Sequence, residues 1–436
     1  MTITLRADCR CCRRTQLHEV FDLGVQPYAN AFLTAEQLLE PQPACPLRLK
    51  ECNACGHVQL GHVIAAHELY RTYSFLTSSS QRMSDHFASL MRINVDRFVP
   101  RNGLVVEIGS NDGTALASIV RADVRRIGID PALNLAKLAT QRDVWTFPEF
   151  FSESVGCRLA ETQGRADLIV ACNVLGHVDD LDDFCRGIMG LLSETGALIV
   201  EVPSLDQLLK HTAFDTIYHE HLSYFSVGSL STLLARHQLD VLAIEPQDVH
   251  GGSLRVTIRK RLLGEPRDVV TFGEHHSTRD WDGFQRRCQT LRYDLLHWLS
   301  DQAESGRVVW GYGAPAKASV LLNYCDIGCD LLPVVVDSTP IKQGRYMPGT
   351  QQPILPPEEL QRAMPDAALV LAWNHFAEIQ AKETEYLQAG GELVAPFETH
   401  LSPARLGRGT DPSAGGTAHV LENAATNGFD HHAAMS

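Results

Sequence analysis

Three groups of residues in this sequence have the types and spacing to do chemistry. Cys9-Arg10-Cys11-Cys12 and Cys52-Asn53-Ala54-Cys55 each contain a C-x2-C step. Two such knuckles close a tetrahedral thiolate site, the pattern of structural zinc, and four cysteine ligands leave no open position for catalysis. Cys11 and Cys45 compete as ligands on spacing alone. The gap between the pairs exceeds that of the usual zinc ribbon, an insertion that costs little in loop closure. The second group, Tyr218-His219-Glu220-His221-Leu222-Ser223-Tyr224-Phe225-Ser226, is dense in side chains that move protons. A metal reading of His219-x-His221 is weak, because alternate residues point apart on a strand. The third is Glu107-Ile108-Gly109-Ser110-Asn111-Asp112-Gly113, where glycines let a backbone approach a ligand closely. Asp130, at the end of the next apolar run, stands where an acid holds ribose hydroxyls.

The elements that must position these groups follow from hydrophobic patterning. Residues 1–70 are rich in Cys and Pro and read as short strands and turns around a zinc site. Residues 71–262 alternate apolar runs with helical segments: Leu104–Ile108, Val124–Asp130, Ala166–Cys172 and Gly196–Glu201 are strands of a parallel βαβ sheet. Residues 263–405 repeat the plan, with strands at Arg307–Gly313, Leu332–Asp337 and Ala367–Leu371. Residues 406–436 are small and polar and are expected to be a disordered tail. The expected fold is therefore α/β, with two Rossmann-like units behind a small zinc-binding domain. A length of 436 residues agrees with about two to three domains.

Composition narrows the function classes. With 38 Lys+Arg against 52 Asp+Glu, the net charge of −14 argues against a nucleic-acid partner. No apolar run has the length of a signal peptide or a membrane span, so a cytoplasmic, soluble protein is expected. In a reducing cytosol the twelve cysteines serve as metal ligands or buried thiols rather than disulfides.

The loop from Glu107 resembles motif I of S-adenosylmethionine (SAM) methyltransferases, with Asn111 at the middle glycine, which implies a looser loop. An acid at its start suits the cationic amino-acid part of SAM better than a pyrophosphate. Together with Gly24-Val25-Gln26-Pro27-Tyr28-Ala29-Asn30 and Asn173-Val174-Leu175-Gly176-His177-Val178, the Tyr218–Ser226 stretch resembles the three-domain sugar C-methyltransferases, which act at C3 of nucleotide-linked 4-keto-deoxysugars. His250–Arg255, Gly311–Lys317 and Asp337–Arg345 match in the same order, so the resemblance runs from about Cys9 to Leu401. It implies zinc on Cys9, Cys12, Cys52 and Cys55, and SAM contacts from Glu107, Gly109, Asn111, Asp112, Asp130 and Asn173. It also implies a catalytic cluster of His177, Tyr218, Glu220 and His221 with Tyr73, and a substrate contact from Asn30. Phe75 stands where the family's Y-x-Y segment has its second tyrosine.

The chemistry this implies is removal of the C3 proton by His221, with Tyr218 and His177 near the enolate oxygen and Glu220 orienting a neighbour. Gly311-x-Gly313 leads into a helix, and Lys317 at its start is a phosphate seat. Lys342, Arg345 and Arg255 are further cations for the substrate pyrophosphate. The alternative is an NAD(P)-dependent oxidoreductase or epimerase using the loop from Gly311, where Ala316 stands at the third glycine. A non-catalytic zinc-and-SAM-binding assembly protein is a third reading. Oligomeric state, nucleobase and sugar are not written in the sequence.

Overall fold

Leu104–Ile108 is apolar at four of five positions and buried at all five, the pattern of a strand covered on both faces. It is an inner strand of a seven-stranded sheet in the computed structural model, which describes residues 3–70, 73, 75–249, 251–261 and 280–397. The strands run in the order Leu239–Gln247, Ser253–Lys260, Leu192–Pro203, Ala166–Cys172, Leu104–Ile108, Arg125–Ile129, Thr146–Phe147. Neighbours from Leu192–Pro203 to Thr146–Phe147 are parallel, as the patterning predicts. Ser253–Lys260 is antiparallel to both of its neighbours, a reversal that βαβ patterning does not foresee. The strand order reverses beside Leu104–Ile108, and ligands of doubly wound sheets bind at that crevice, beyond the carboxyl ends of the strands.

The helix Gln81–Phe98 covers one face of this sheet. Ser80 caps it by accepting the Met83 N–H, and Met83, Phe87, Leu90, Met91 and Val95 repeat at helical spacing on its buried side. They pack with Val105, Leu168, Val170 and Ile199. Each such side chain contributes about 1.5–3 kcal/mol on burial.

A second, five-stranded parallel sheet has the order Ile354–Leu355, Val335–Val336, Val309–Tyr312, Ala367–Val370, Glu392–Val394. The N-terminal region forms an antiparallel sheet. Leu17–Pro27 pairs with Ala44–Cys52 from Leu17 opposite Cys52 to Pro27 opposite Ala44. This long pairing fills the interval between the two cysteine knuckles and explains their wide separation. The fourth strand of that sheet, Ser223–Tyr224, comes from the middle of the chain and pairs with Val58–Leu60.

One apolar core consequently crosses all three regions. Phe21 and Leu49 share it with Phe214 and Tyr224, and with Phe284 and Leu321 of the C-terminal part. The helix Trp281–Glu304 is the bridge, with Phe284 edge-on to Phe21 at 4.9 Å between ring centres. The expected tail, 406–436, lies outside the described residues. No helix among the described residues is long and apolar enough to cross a membrane.

Candidate functional site

The two cysteine knuckles come together where Leu17–Pro27 begins and Ala44–Cys52 ends. Cys9, Cys12, Cys52 and Cys55 place their sulfurs within 4.8 Å of one another, with Cys9 and Cys55 3.6 Å apart and Cys12 and Cys52 3.5 Å apart. Four converging, largely buried thiolates are the donor set of a closed zinc site. Cys11 and Cys45, the competing sulfurs, are not in the group. Cys45 packs with Tyr28 and Ile64 in a separate cluster. The site is keyed to the rest of the chain by Arg236, which donates to the Cys11 carbonyl at 2.6 Å and pairs with Asp182.

A cavity of about 660 Å³ opens at the carboxyl ends of both parallel sheets. Its first end is the glycine loop. Gly109 has φ +71°, and a Cβ there meets Val174 Cγ2 at 2.5 Å, so the position admits only glycine. Asn111 takes φ +50°, left-handed backbone that asparagine tolerates. Its side chain accepts from Thr77 N–H at 3.0 Å and donates to the Phe75 carbonyl at 3.1 Å. Asn111 therefore ties the loop to the segment before Gln81–Phe98, and the expectation of a looser loop is corrected. Asp130 accepts the Asn111 N–H at 2.9 Å, and burial raises its pKa. Burial also pushes Glu107 far above the usual carboxylate range. Asn173 follows the strand Ala166–Cys172 and lines the same cavity. Asp112 does not line it: its carboxylate accepts from Thr114 Oγ1 at 2.6 Å and faces Arg142 at 3.6 Å, holding the loop from behind.

The middle of the cavity is the proton-moving cluster. His221 Nδ1 lies 2.7 Å from the Thr216 carbonyl oxygen, which can only accept, so Nδ1 carries the proton and Nε2 the lone pair. Tyr218 packs against the His221 ring at 3.9 Å between centres with the planes tilted by 34°, and burial raises its pKa so that it stays a hydroxyl. His177 stands edge-on to His221 at 5.0 Å, its pKa pushed down to about 4 by burial. Glu220 is 4% exposed and accepts from Asn30 Nδ2 at 2.7 Å and Tyr73 O–H at 3.2 Å. Burial outweighs those bonds and raises Glu220 to about 7. The two histidines of His219-x-His221 diverge, since His219 Nε2 bonds the Cys45 carbonyl oxygen at 2.9 Å. That disposes of a metal pair.

The far end belongs to the second sheet. Lys317, in the first turn of Ala316–Cys325, lines the cavity with its Nζ 4.6 Å from the Trp373 ring centre. Lys342 lines it too, but Nζ is held by the Ala314 carbonyl at 2.9 Å and Asp337 at 3.5 Å. Asp337 Oδ2 accepts the Ala314 N–H at 2.6 Å, which ties the loop from Gly311 to the end of the neighbouring strand. Two expected substrate cations are elsewhere. Arg255 lies outside the cavity, opposite Glu201 on the adjacent strand, and balances that buried carboxylate at 2.5 Å with His86 at 2.8 Å. Arg345 bonds the Ile341 and Phe32 carbonyls at 3.0 and 3.4 Å and does not line the cavity.

Three residues escape the motif reading, one lining the cavity and two standing behind Lys317. Tyr70, the last residue of Ala66–Tyr70, reaches His177 Nδ1 with its hydroxyl at 2.7 Å. Asp215, buried and raised to about 6 by that burial, accepts the Trp373 Nε1–H at 2.7 Å. Trp373 follows the strand Ala367–Val370 at its carboxyl end, a place the switch-point rule marks in advance.

Comparison with known proteins agrees with this arrangement. The family described as "Putative zinc binding domain" matches residues 9–70, "Methyltransferase domain" residues 83–244, and "C-methyltransferase C-terminal domain" residues 248–397. The chain is 36% identical over 399 residues to C-methyltransferase NovU of Streptomyces niveus, covering 89% of this chain and 95% of that protein. Among solved structures, a SAM-dependent methyltransferase of Clostridium acetobutylicum is 12% identical, with a TM-score of 0.33 over 41% of this chain and 91% of that one. One from Anabaena variabilis is 10% identical, with a TM-score of 0.32 over 46% of this chain and all of that one, 100%.

Proposed function

The chain belongs to the SAM-dependent C-methyltransferase family, and on that premise we propose that it methylates C3 of a nucleotide-linked 4-keto-deoxysugar through an enolate. The observation that carries the reading is the single cavity, which joins the glycine loop, the His177–Tyr218–His221 cluster and the Lys317 helix start. Its ends differ in charge. Glu107, Asp130, Glu149, Asp179, Asp180 and Asp183 line it from the middle region of the chain, where no Lys or Arg does, and Lys317, Lys342 and Lys382, with Asp337 and Glu378, from the C-terminal region. A cationic donor and an anionic sugar nucleotide suit those opposite ends.

SAM, when bound, supplies an electrophilic methyl on a positively charged sulfur and leaves as a neutral thioether. His221 Nε2 takes the C3 proton, and the C–H electron pair passes through C3–C4 onto the C4 oxygen. Tyr218 and His177 donate hydrogen bonds to that oxygen as charge develops. The enolate then closes back, forming the C3–methyl bond. Asn30 and Tyr73, which both line the cavity, hold Glu220 beside the cluster. The four thiolates would hold zinc as a structural ion, with no part in the chemistry.

The rest of the reading is architectural. Divisions near residues 70 and 262, with a tail after 405, separate the zinc, donor and nucleotide-binding units. A cytoplasmic location is supported by the twelve cysteines, none of which is paired in a disulfide. No observation favours hydride transfer. The test is incubation of the purified protein with SAM and a nucleotide-linked 4-keto-deoxysugar. The expected product carries one new methyl on C3 by NMR, with one S-adenosylhomocysteine formed per sugar. Methylation on oxygen, or none, overturns the reading.

A further inference from the structure

We propose that Tyr70 is a positioning residue that sets which nitrogen of His177 carries the proton, making His177 a neutral donor toward the enolate oxygen. The inference rests on the reading of His177 given above. The Tyr70 hydroxyl has one hydrogen and two acceptors in reach: His177 Nδ1 at 2.7 Å and the Glu220 carbonyl oxygen at 3.3 Å. The first is an ordinary hydrogen-bond length and the second lies beyond the usual O–H···O range. On this proposal the hydrogen goes to the shorter contact, toward Nδ1, and a neutral imidazole that accepts at Nδ1 carries its own hydrogen at Nε2. The opposite arrangement, with Nδ1–H donating to the hydroxyl oxygen and the hydroxyl donating to the Glu220 carbonyl, is the one the ¹⁵N measurement below would reveal if the proposal fails.

Two further facts keep both partners neutral and in contact. Burial keeps His177 unprotonated at neutral pH, with its pKa near 4, and raises Tyr70 so that it keeps its hydrogen. Packing fixes the tyrosine ring, which lies 5.7 Å from Tyr73, 6.3 Å from Phe150 and 5.8 Å from His177 between centres.

The consequence is a division of labour between two like residues. A backbone carbonyl at His221 Nδ1 leaves a lone pair on Nε2, whereas a hydroxyl at His177 Nδ1 leaves a hydrogen on Nε2. The rings are 5.0 Å apart and nearly perpendicular, at 83°. One histidine is thereby prepared to accept a proton and the other to donate a hydrogen bond, according to what each Nδ1 touches.

The test is ¹⁵N NMR of the histidine rings in the full-length protein, with His177 assigned by the loss of its signals in His177→Gln. The wild type should show His177 as the Nε2–H tautomer and His221 as the Nδ1–H tautomer. Tyr70→Phe should shift His177 toward a tautomer mixture and lower kcat roughly tenfold, with KM and SAM affinity within about twofold. A wild-type His177 protonated on Nδ1 overturns the proposal without any variant. So does a folded Tyr70→Phe protein with unchanged tautomer and kcat. If the protein fails to methylate a 4-keto sugar, the tautomer measurement still reads Tyr70, so the two failures are distinguishable.

Discussion

At the scale of single residues, the cluster depends on burial to set protonation. His221→Asn keeps a side chain that can bond the Thr216 carbonyl but removes the basic nitrogen. Turnover should fall at least about 10²-fold while SAM affinity, measured by calorimetry, stays at the wild-type value. Near-normal turnover removes His221 as the base. Glu220 permits a test by stability. Its pKa rises on folding from 4.5 to about 7 because burial penalises the charge. The folded state therefore holds this proton more tightly than the unfolded chain. That contribution is full below about pH 4.5 and is lost as pH rises through about 7, a change of roughly 3 kcal/mol. Gln at this position never ionises, so Glu220→Gln should gain on the wild type as pH goes from about 5 to 8. A difference in Tm that is flat across that range refutes it. The residue types of this cluster are legible in sequence because Tyr218, Glu220 and His221 lie together in the chain. Tyr70 was not, since its meaning comes from a contact with a residue 107 positions away.

At the scale of elements, glycine and a strand end mark the donor loop from the sequence, whereas cations do not mark the acceptor end. An Arg in a sequence carries no sign of its partner. Arg255 is taken by Glu201 because their two strands are paired, and that pairing is antiparallel where βαβ patterning expects parallel neighbours. Lys317 is different because its place in the first turn of Ala316–Cys325 follows from Gly313 and Pro315 ahead of it. A Cβ on Gly313 meets the Ala372 Cβ at 2.7 Å, and its φ is +90°, so the turn that aims this helix at the cavity needs glycine. Burial lowers the Lys317 pKa and buried Asp215 opposes that fall. A pyrophosphate arriving here meets a poorly hydrated cation, where each charge-assisted bond counts for more than at a surface. Lys317→Ala should raise the KM for the sugar nucleotide roughly three- to tenfold. SAM affinity should not change, because the loop from Glu107 lies at the other end of the cavity. An unchanged KM removes Lys317 from the substrate site.

At the scale of the whole molecule, three patterned regions of sequence fold around shared cores rather than as separate beads. Patterning shows where each sheet starts but not that Ser223–Tyr224 completes the N-terminal one, because a two-residue strand has no periodicity to read. The cysteine site inherits that continuity. Cys9, Cys11, Cys52 and Cys55 pack in one cluster with Phe184, Cys185, Leu230 and Leu234 of the middle sheet's helices. Arg13 pairs with Asp182 at 2.6 Å, and Asp182 also holds Arg236 and His237. Losing the metal should therefore disturb more than the knuckles. Four uncompensated thiolates repel one another or take up protons, and either loosens a cluster that supports the middle sheet. Cys12→Ser, or treatment with a strong chelator, should remove one zinc per chain by elemental analysis. It should also lower the temperature of a single main unfolding transition and abolish turnover. A separate low-temperature transition, with the main transition and SAM binding unmoved, would mean that the zinc unit melts alone.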